Sequence, residues 1–198
     1  MSYETREAWL AAAAVELSAI IRDRSGLECP AVRIGVGWPA AGRRSNVLGE
    51  CWVSKAAGDG INEIVIRITA TSPTEVLAIL THELIHAALD CQGKHSGAFK
   101  RAHGALGFVG SAKGSEPGGE LDATLVRVAE ELGAYPGAQG LNVPGKGASS
   151  AGDKQTTRMI KVECDTCGFT FRASRQWLDR AAGLRCPDAD CEGAAHAA

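Results

Sequence analysis

Five residues in a row, His82-Glu83-Leu84-Ile85-His86, carry the chemistry that stands out in this chain, and His95 follows nine residues after His86. Residues four apart on a helix share a face, so His82 and His86 can grip one metal ion together. Glu83 stands one step round from His82, within reach of a water molecule beside that ion. This is the H-E-x-x-H arrangement of zinc peptidases. Catalytic zinc usually takes three protein ligands and keeps a fourth position for water. It lowers the pKa of that water from ~15.7 to about 7, roughly 11 kcal/mol towards hydroxide. Glu83 is the expected general base, taking the proton and later handing it to the leaving amine.

The third ligand must come from outside the helix. His95 is the expected one, because Gly93 lets the chain turn back towards the two histidines. Cys91 lies too close to His86 in sequence to complete the triangle. His103 is the rival, with Glu120 and Asp122 behind it. It falls on the stripe Phe99, Ala102, Leu106, so core packing or support of a ligand explains it better. The metzincin pattern does not fit, because its third histidine would stand where this chain has Gln92.

A second constellation lies near the C-terminus. Cys164-Asp165-Thr166-Cys167-Gly168 reads as a zinc knuckle, and Cys186 with Cys191 forms a looser second pair. Four thiolates make a closed structural site. A module this small cannot build enough core without such a staple. Cys29, Cys51 and Cys91 read as ordinary buried thiols.

Elements must position these residues. Residues 4–24 read as an amphipathic helix stopped by Gly26. Strands are expected at 32–38, 51–53 and 61–68. Ser72, Pro73 and Glu75 resemble a capping box opening the metal helix, which should run to about Asp90. Further helices are expected at 96–106 and 120–132. Residues 134–157, rich in Gly, Pro and Ser, read as a linker. Short strands at 159–163 and 169–172 and a helix at 174–182 should surround the cysteines. The expected division is therefore a metallopeptidase domain at 1–133, a flexible linker at 134–157 and a zinc ribbon at 158–198.

Composition sets limits. The 198 residues are 45% hydrophobic and 22% charged, enough for a real core, and the net charge is −2. The whole molecule is thus no polycation. The apolar stretch 8–21 carries Glu16, lacks the layout of a secretory signal and is too short to span a bilayer. A cytoplasmic location without membrane attachment is expected, with reduced thiols, and the seven cysteines then read as metal ligands or buried residues. Residues 154–185 alone carry a formal +4, about halved once four thiolates hold a zinc ion. Phe169, Phe171 and Trp177 lie nearby. They should fill the ribbon's small core; the alternative is weak, sequence-independent contact with DNA.

Two stretches, His82-Glu83-Leu84-Ile85-His86-Ala87 and Gly93-Lys94-His95-Ser96-Gly97 with Phe99 and Lys100, resemble the SprT-like (Spartan-like) zinc metallopeptidases. In that family a third histidine ligand stands in a G-H-G-x-x-F-type stretch. Here the second glycine is shifted by one, and the third histidine comes sooner than in Spartan-like members. The resemblance covers roughly residues 5–110 and extends to the tail, since such proteins often end in a zinc ribbon. The order of parts resembles compact actinobacterial and phage members.

The resemblance implies an α+β zincin-like fold, a small sheet packed on the H-E-x-x-H helix. It implies zinc-dependent endopeptidase activity on a protein or peptide substrate, in some members on nucleic-acid-associated proteins. The substrate should lie extended along an edge strand, either 51–54 or 61–68. Two other readings stand beside it. One is a DNA- or transcription-associated binding protein with a vestigial protease site, against which an intact Glu83 argues. The other is a zinc hydrolase acting on something other than peptide.

Overall fold

The computed structural model describes residues 2–137, 159–181 and 183–197. The chain is a mixed α+β protein that divides into two compact units, Met1–Val143 and Pro144–Ala198. Among the described residues no helix is long and apolar enough to cross a membrane.

The first unit opens with α1, Arg6–Ser25. The Thr5 side chain caps it by accepting from the Ala8 amide at 3.1 Å, and Gly26 ends it at a φ of 73°. Trp9, Leu10, Ala13, Leu17 and Ile21 make its buried stripe. Three strands follow: β1 (Val32–Gly37), β2 (Gly49–Trp52) and β3 (Asn62–Arg67). They form one sheet in the order β1-β3-β2, with β1 parallel and β2 antiparallel to β3. The β3 strand is therefore central, and of the two strands expected to receive substrate only β2 has a free edge. Along β3, Asn62, Ile64 and Ile66 are buried on the core side.

On that core side lies α2, Pro73–Ala88, which carries the two histidines and the glutamate. Every residue from Val76 to Ala87 is buried. A helix buried all round must pack against everything around it, and α2 touches α1, β2, β3, α3 (Ala98–Leu106) and α4 (Gly119–Leu132). Pro73 occupies its first turn, but Ser72 makes no side-chain cap; its hydroxyl pairs with Thr74 instead, so the expected capping box is not formed.

The expected linker begins at 134, yet packing continues to Gly137. Tyr135 is buried edge-on against Trp9, and the Arg6 guanidinium donates to the carbonyls of Ile68 and Pro136, both at 2.9 Å. The indole of Trp9 donates to Gly133 O at 3.0 Å. The rest of that linker, 138–157, lies outside the described residues.

In the second unit a four-stranded antiparallel sheet has the order β5-β4-β7-β6, built from β4 (Ile160–Cys164), β5 (Thr170–Ala173), β6 (Leu184–Arg185) and β7 (Ala194–Ala197). A short helix, α5, spans Arg175–Arg180. The last two strands carry no sequence signal: β6 has two residues and β7 reads Ala-Ala-His-Ala.

Candidate metal centre

His82 and His86 project from α2 one turn apart. The chain must then reverse to bring His95 back, and it does so through a tight turn. Asp90, Cys91 and Lys94 hold left-handed φ values of 45°, 57° and 47°, alongside Gly93 at 69°. Such angles are costly for side-chain-bearing residues unless the surroundings enforce them. Here Asp90 is pinned. Its carboxylate accepts from the Ser54 amide at 2.8 Å and from the buried Asn62 amide group at 3.1 Å. These bonds hold Asp90 below the usual carboxylate range. Asn62 also donates to Trp52 O at 3.0 Å, so the helix end is tied to β2 and β3.

The result is a convergence of ring nitrogens. His95 Nε2 lies 3.2 Å from His82 Nε2 and 3.1 Å from His86 Nε2. Three nitrogens on a tetrahedral zinc ion, with bonds of ~2.05 Å, stand about 3.3 Å apart. Burial holds His82 down at about 3 and His86 at about 4, and it lowers His95 as well. All three rings are then neutral at pH 7 and offer lone pairs, as metal ligation requires. The donor set and its spacing fit a zinc ion. His95 is the third member of the cluster, as expected.

His103 is outside this three-histidine group. Its Nε2–H donates to Gly114 O at 3.0 Å, and the same carbonyl accepts from His82 Nδ1–H at 3.1 Å. The second bond fixes the His82 tautomer so that Nε2 presents its lone pair to the other histidines. The His103 ring is buried and stacked on Phe108, with centroids 4.5 Å apart. Gly114 is held over the cluster by a small hairpin: Phe108 bridges Pro117, Val109 N donates to Glu116 O, and Gly118 N donates to Gly107 O. Glu120 and Asp122 are exposed, and Glu120 pairs with Arg24 at 3.6 Å.

Glu83 points into the same cleft but belongs to neither group of metal-ligating side chains. Burial pushes its carboxyl up to about 8, and the nearby charge of Glu50 adds to the rise. Gly49 makes its place. A Cβ at Gly49 would lie 2.6 Å from both Glu83 Oε1 and Ile79 Cγ2. The cleft runs from β2, through Asn46 to Cys51, past Glu83 and the histidines to Lys94 and Lys113. Gly49, Asn62, Asp90 and Gly114 were not singled out by the sequence.

The four cysteines of the second unit also converge. Cys164 and Cys191 sulfurs are 3.7 Å apart, those of Cys167 and Cys186 are 3.5 Å apart, and all four ligand atoms fall within 4.8 Å of one another. A tetrahedral zinc with ~2.3 Å bonds to sulfur sets about 3.8 Å between them. The Thr166 and Gly193 amides donate to the sulfurs of Cys164 and Cys191, both at 3.4 Å. Backbone N–H groups of Cys167 and Thr166 bring the Cys164 thiol down to about 6. Gly193 is needed there, since a Cβ would meet Thr166 Oγ1 at 2.5 Å and Cys164 Sγ at 2.7 Å.

The aromatics of this unit do not build its core as expected. Phe169 and Trp177 are exposed, Phe171 is half-buried, and Val162, Cys164, Cys186 and Ala195 form the interior. Cys51 and Cys91, expected as ordinary buried thiols, are partly buried, with their sulfurs 3.4 Å apart on the cleft wall.

No protein-family model matches the chain, and no curated protein or solved structure matches it either.

Proposed function

We propose that the chain is a zinc-dependent endopeptidase of the SprT-like kind, with a zincin-like first unit and a zinc ribbon as the second. One observation carries this reading: His95 Nε2 lies 3.2 and 3.1 Å from His82 Nε2 and His86 Nε2, beside a buried glutamate outside that group, in a cleft walled by an edge strand. His82, His86 and His95 would hold the catalytic ion, and Cys164, Cys167, Cys186 and Cys191 a structural one. Bound zinc would supply Lewis acidity, polarising a carbonyl and acidifying water.

The chain's own residues do the remaining work. A cation held by the histidines would favour the ionised form of the Glu83 carboxyl, and Glu83 then takes a proton from the attacking water and returns it to the leaving amine. Gly49 leaves room for that carboxyl. The free edge of β2 offers unpaired backbone groups to an extended peptide, so the polypeptide substrate is held by main-chain hydrogen bonds and can vary in sequence. A cytoplasmic setting suits the four-cysteine set, because it keeps the thiols reduced.

Glu83→Gln should keep its full zinc content and lose at least ~10²-fold in casein cleavage, a typical general-base contribution. Zinc lost in proportion to activity would make Glu83 a ligand and this mechanism wrong.

A binding role for the ribbon is supported by one further observation. Trp177 is 64% exposed, with the Arg180 guanidinium 5.7 Å from its ring centre. An exposed aromatic beside cations suits stacking on nucleic acid, so weak DNA contact would bring the peptidase to nucleic-acid-associated proteins. Zinc-loaded protein that binds DNA but cleaves no unfolded substrate would favour the binding protein with a vestigial site.

A further inference from the structure

Cys51 and Cys91 are the reactive groups on the cleft wall that the peptidase reading leaves unused. Cys51 sits on the edge strand β2. Cys91 stands three residues beyond the last residue of α2, in the turn that leads to His95. Their sulfurs are 3.4 Å apart, and the Cys91 thiol also donates to the Cys51 carbonyl at 3.4 Å. Neither belongs to a metal-ligand group. Cys29, the other thiol outside the ribbon, faces Leu84 O at 3.9 Å. A disulfide has sulfurs ~2.05 Å apart, so closing this pair takes an approach of about 1.4 Å. Asp90, next to Cys91 in the chain, is bonded to Ser54, two residues beyond β2, and to Asn62, the first residue of β3, which holds the turn against the sheet.

We propose that Cys51 and Cys91 are a redox modification site, forming a reversible disulfide under peroxide that staples the edge strand of the cleft to the turn carrying His95. In the first step one sulfur attacks the peroxide: an S–O bond forms, the O–O bond breaks and one water leaves, giving a sulfenic acid. In the second step the other sulfur attacks that sulfenic sulfur: the S–S bond forms, the S–O bond breaks and a second water leaves. Two thiols are oxidised, two electrons pass to one peroxide, and both thiol protons end in water. Burial raises both thiols above their ordinary range. The first step is therefore slow compared with an activated, exposed cysteine. The second is fast, because the partner sulfur is already adjacent and intercepts the sulfenic acid before it can oxidise further.

This inference goes beyond the peptidase reading and does not rest on it, because its readout is a covalent bond. The test uses the zinc-loaded full chain, treated with hydrogen peroxide, alkylated and digested by trypsin without reductant. Mass spectrometry should find segments 45–55 and 68–94 joined, and dithiothreitol should separate them. The same treatment should raise the melting temperature of the first unit by about 5 °C, since the bond closes a loop of about 40 residues. Cys51→Ala and Cys91→Ala should each abolish the joined peptide and the shift. Separately alkylated Cys51 and Cys91 after peroxide would overturn the proposal. So would a bond from either to another cysteine, or sulfinic acid in place of the link.

Discussion

Burial moves the histidines and the glutamate of the cleft in opposite directions. His82 and His86 fall from 6.5 to about 3 and about 4, while Glu83 rises from 4.5 to about 8. In metal-free protein these shifts tie stability to pH. Between about pH 6.5 and 4 the unfolded chain holds the histidine protons and the folded cluster does not, so stability falls as pH drops. Between about pH 4.5 and 8 the folded Glu83 keeps a proton that the unfolded chain has released, so stability falls as pH rises. Two histidines outweigh one glutamate on the acid side, and from the histidine range up to about pH 8 Glu83 sets the decline, the raised thiols of Cys51 and Cys91 entering only above that. The cluster's contribution should therefore peak near pH 6.5, and Glu83→Gln should remove the alkaline decline. Thermal unfolding of chelated wild type and variant at about pH 5, 6.5 and 7.5 measures this. An alkaline decline that survives in the variant would place its source elsewhere.

At the scale of elements, the contact between β2 and α2 decides whether the base has room. Gly49 faces Glu83 and Ile79, and Ile79 lies on the fully buried stretch of α2, where it has nowhere to go. Gly49→Ala should destabilise the first unit by about 1–3 kcal/mol, the usual cost of overpacking. It should also displace the Glu83 carboxyl and cut peptidase activity, while zinc content stays unchanged because no ligand is touched. Urea unfolding, casein cleavage and elemental analysis follow the three quantities. Unchanged stability and rate would show that the strand moves aside freely. The turn after α2 follows the same logic. Its left-handed residues are tolerable because Asp90 is bonded to both Ser54 and Asn62.

At the scale of the whole molecule, the two donor sets lie in separate compact units, so they should load independently. Purified protein should hold about two zinc ions per chain, one per tetrahedral donor set. Cys164→Ser should remove one and His95→Ala the other. His103→Ala should keep both, because His103 is outside the three-histidine group and its ring nitrogen bonds the Gly114 carbonyl instead. Elemental analysis finding one zinc in wild type, or loss of zinc from His103→Ala, would overturn this division.

The sequence by itself placed His82, Glu83 and His86 on one helix, chose His95 over His103, and paired Cys164 and Cys167 with Cys186 and Cys191. These are consequences of local spacing, in which helical periodicity, a turn-forming glycine and a two-residue knuckle suffice. The helices and the longer strands were legible for the same reason. What spacing cannot show is which segments meet. That β3 is central and β2 the free edge depends on a parallel pairing between β1 and β3 that skips over β2. The Gly114 carbonyl shared by two histidines, the glycine under Glu83 and the adjacent Cys51 and Cys91 sulfurs all join residues far apart in sequence. So does β7, whose Ala-Ala-His-Ala carries no strand pattern and pairs because β4 and β6 offer it their edges. Each is a non-local contact set by packing, and only the tertiary structure could decide it.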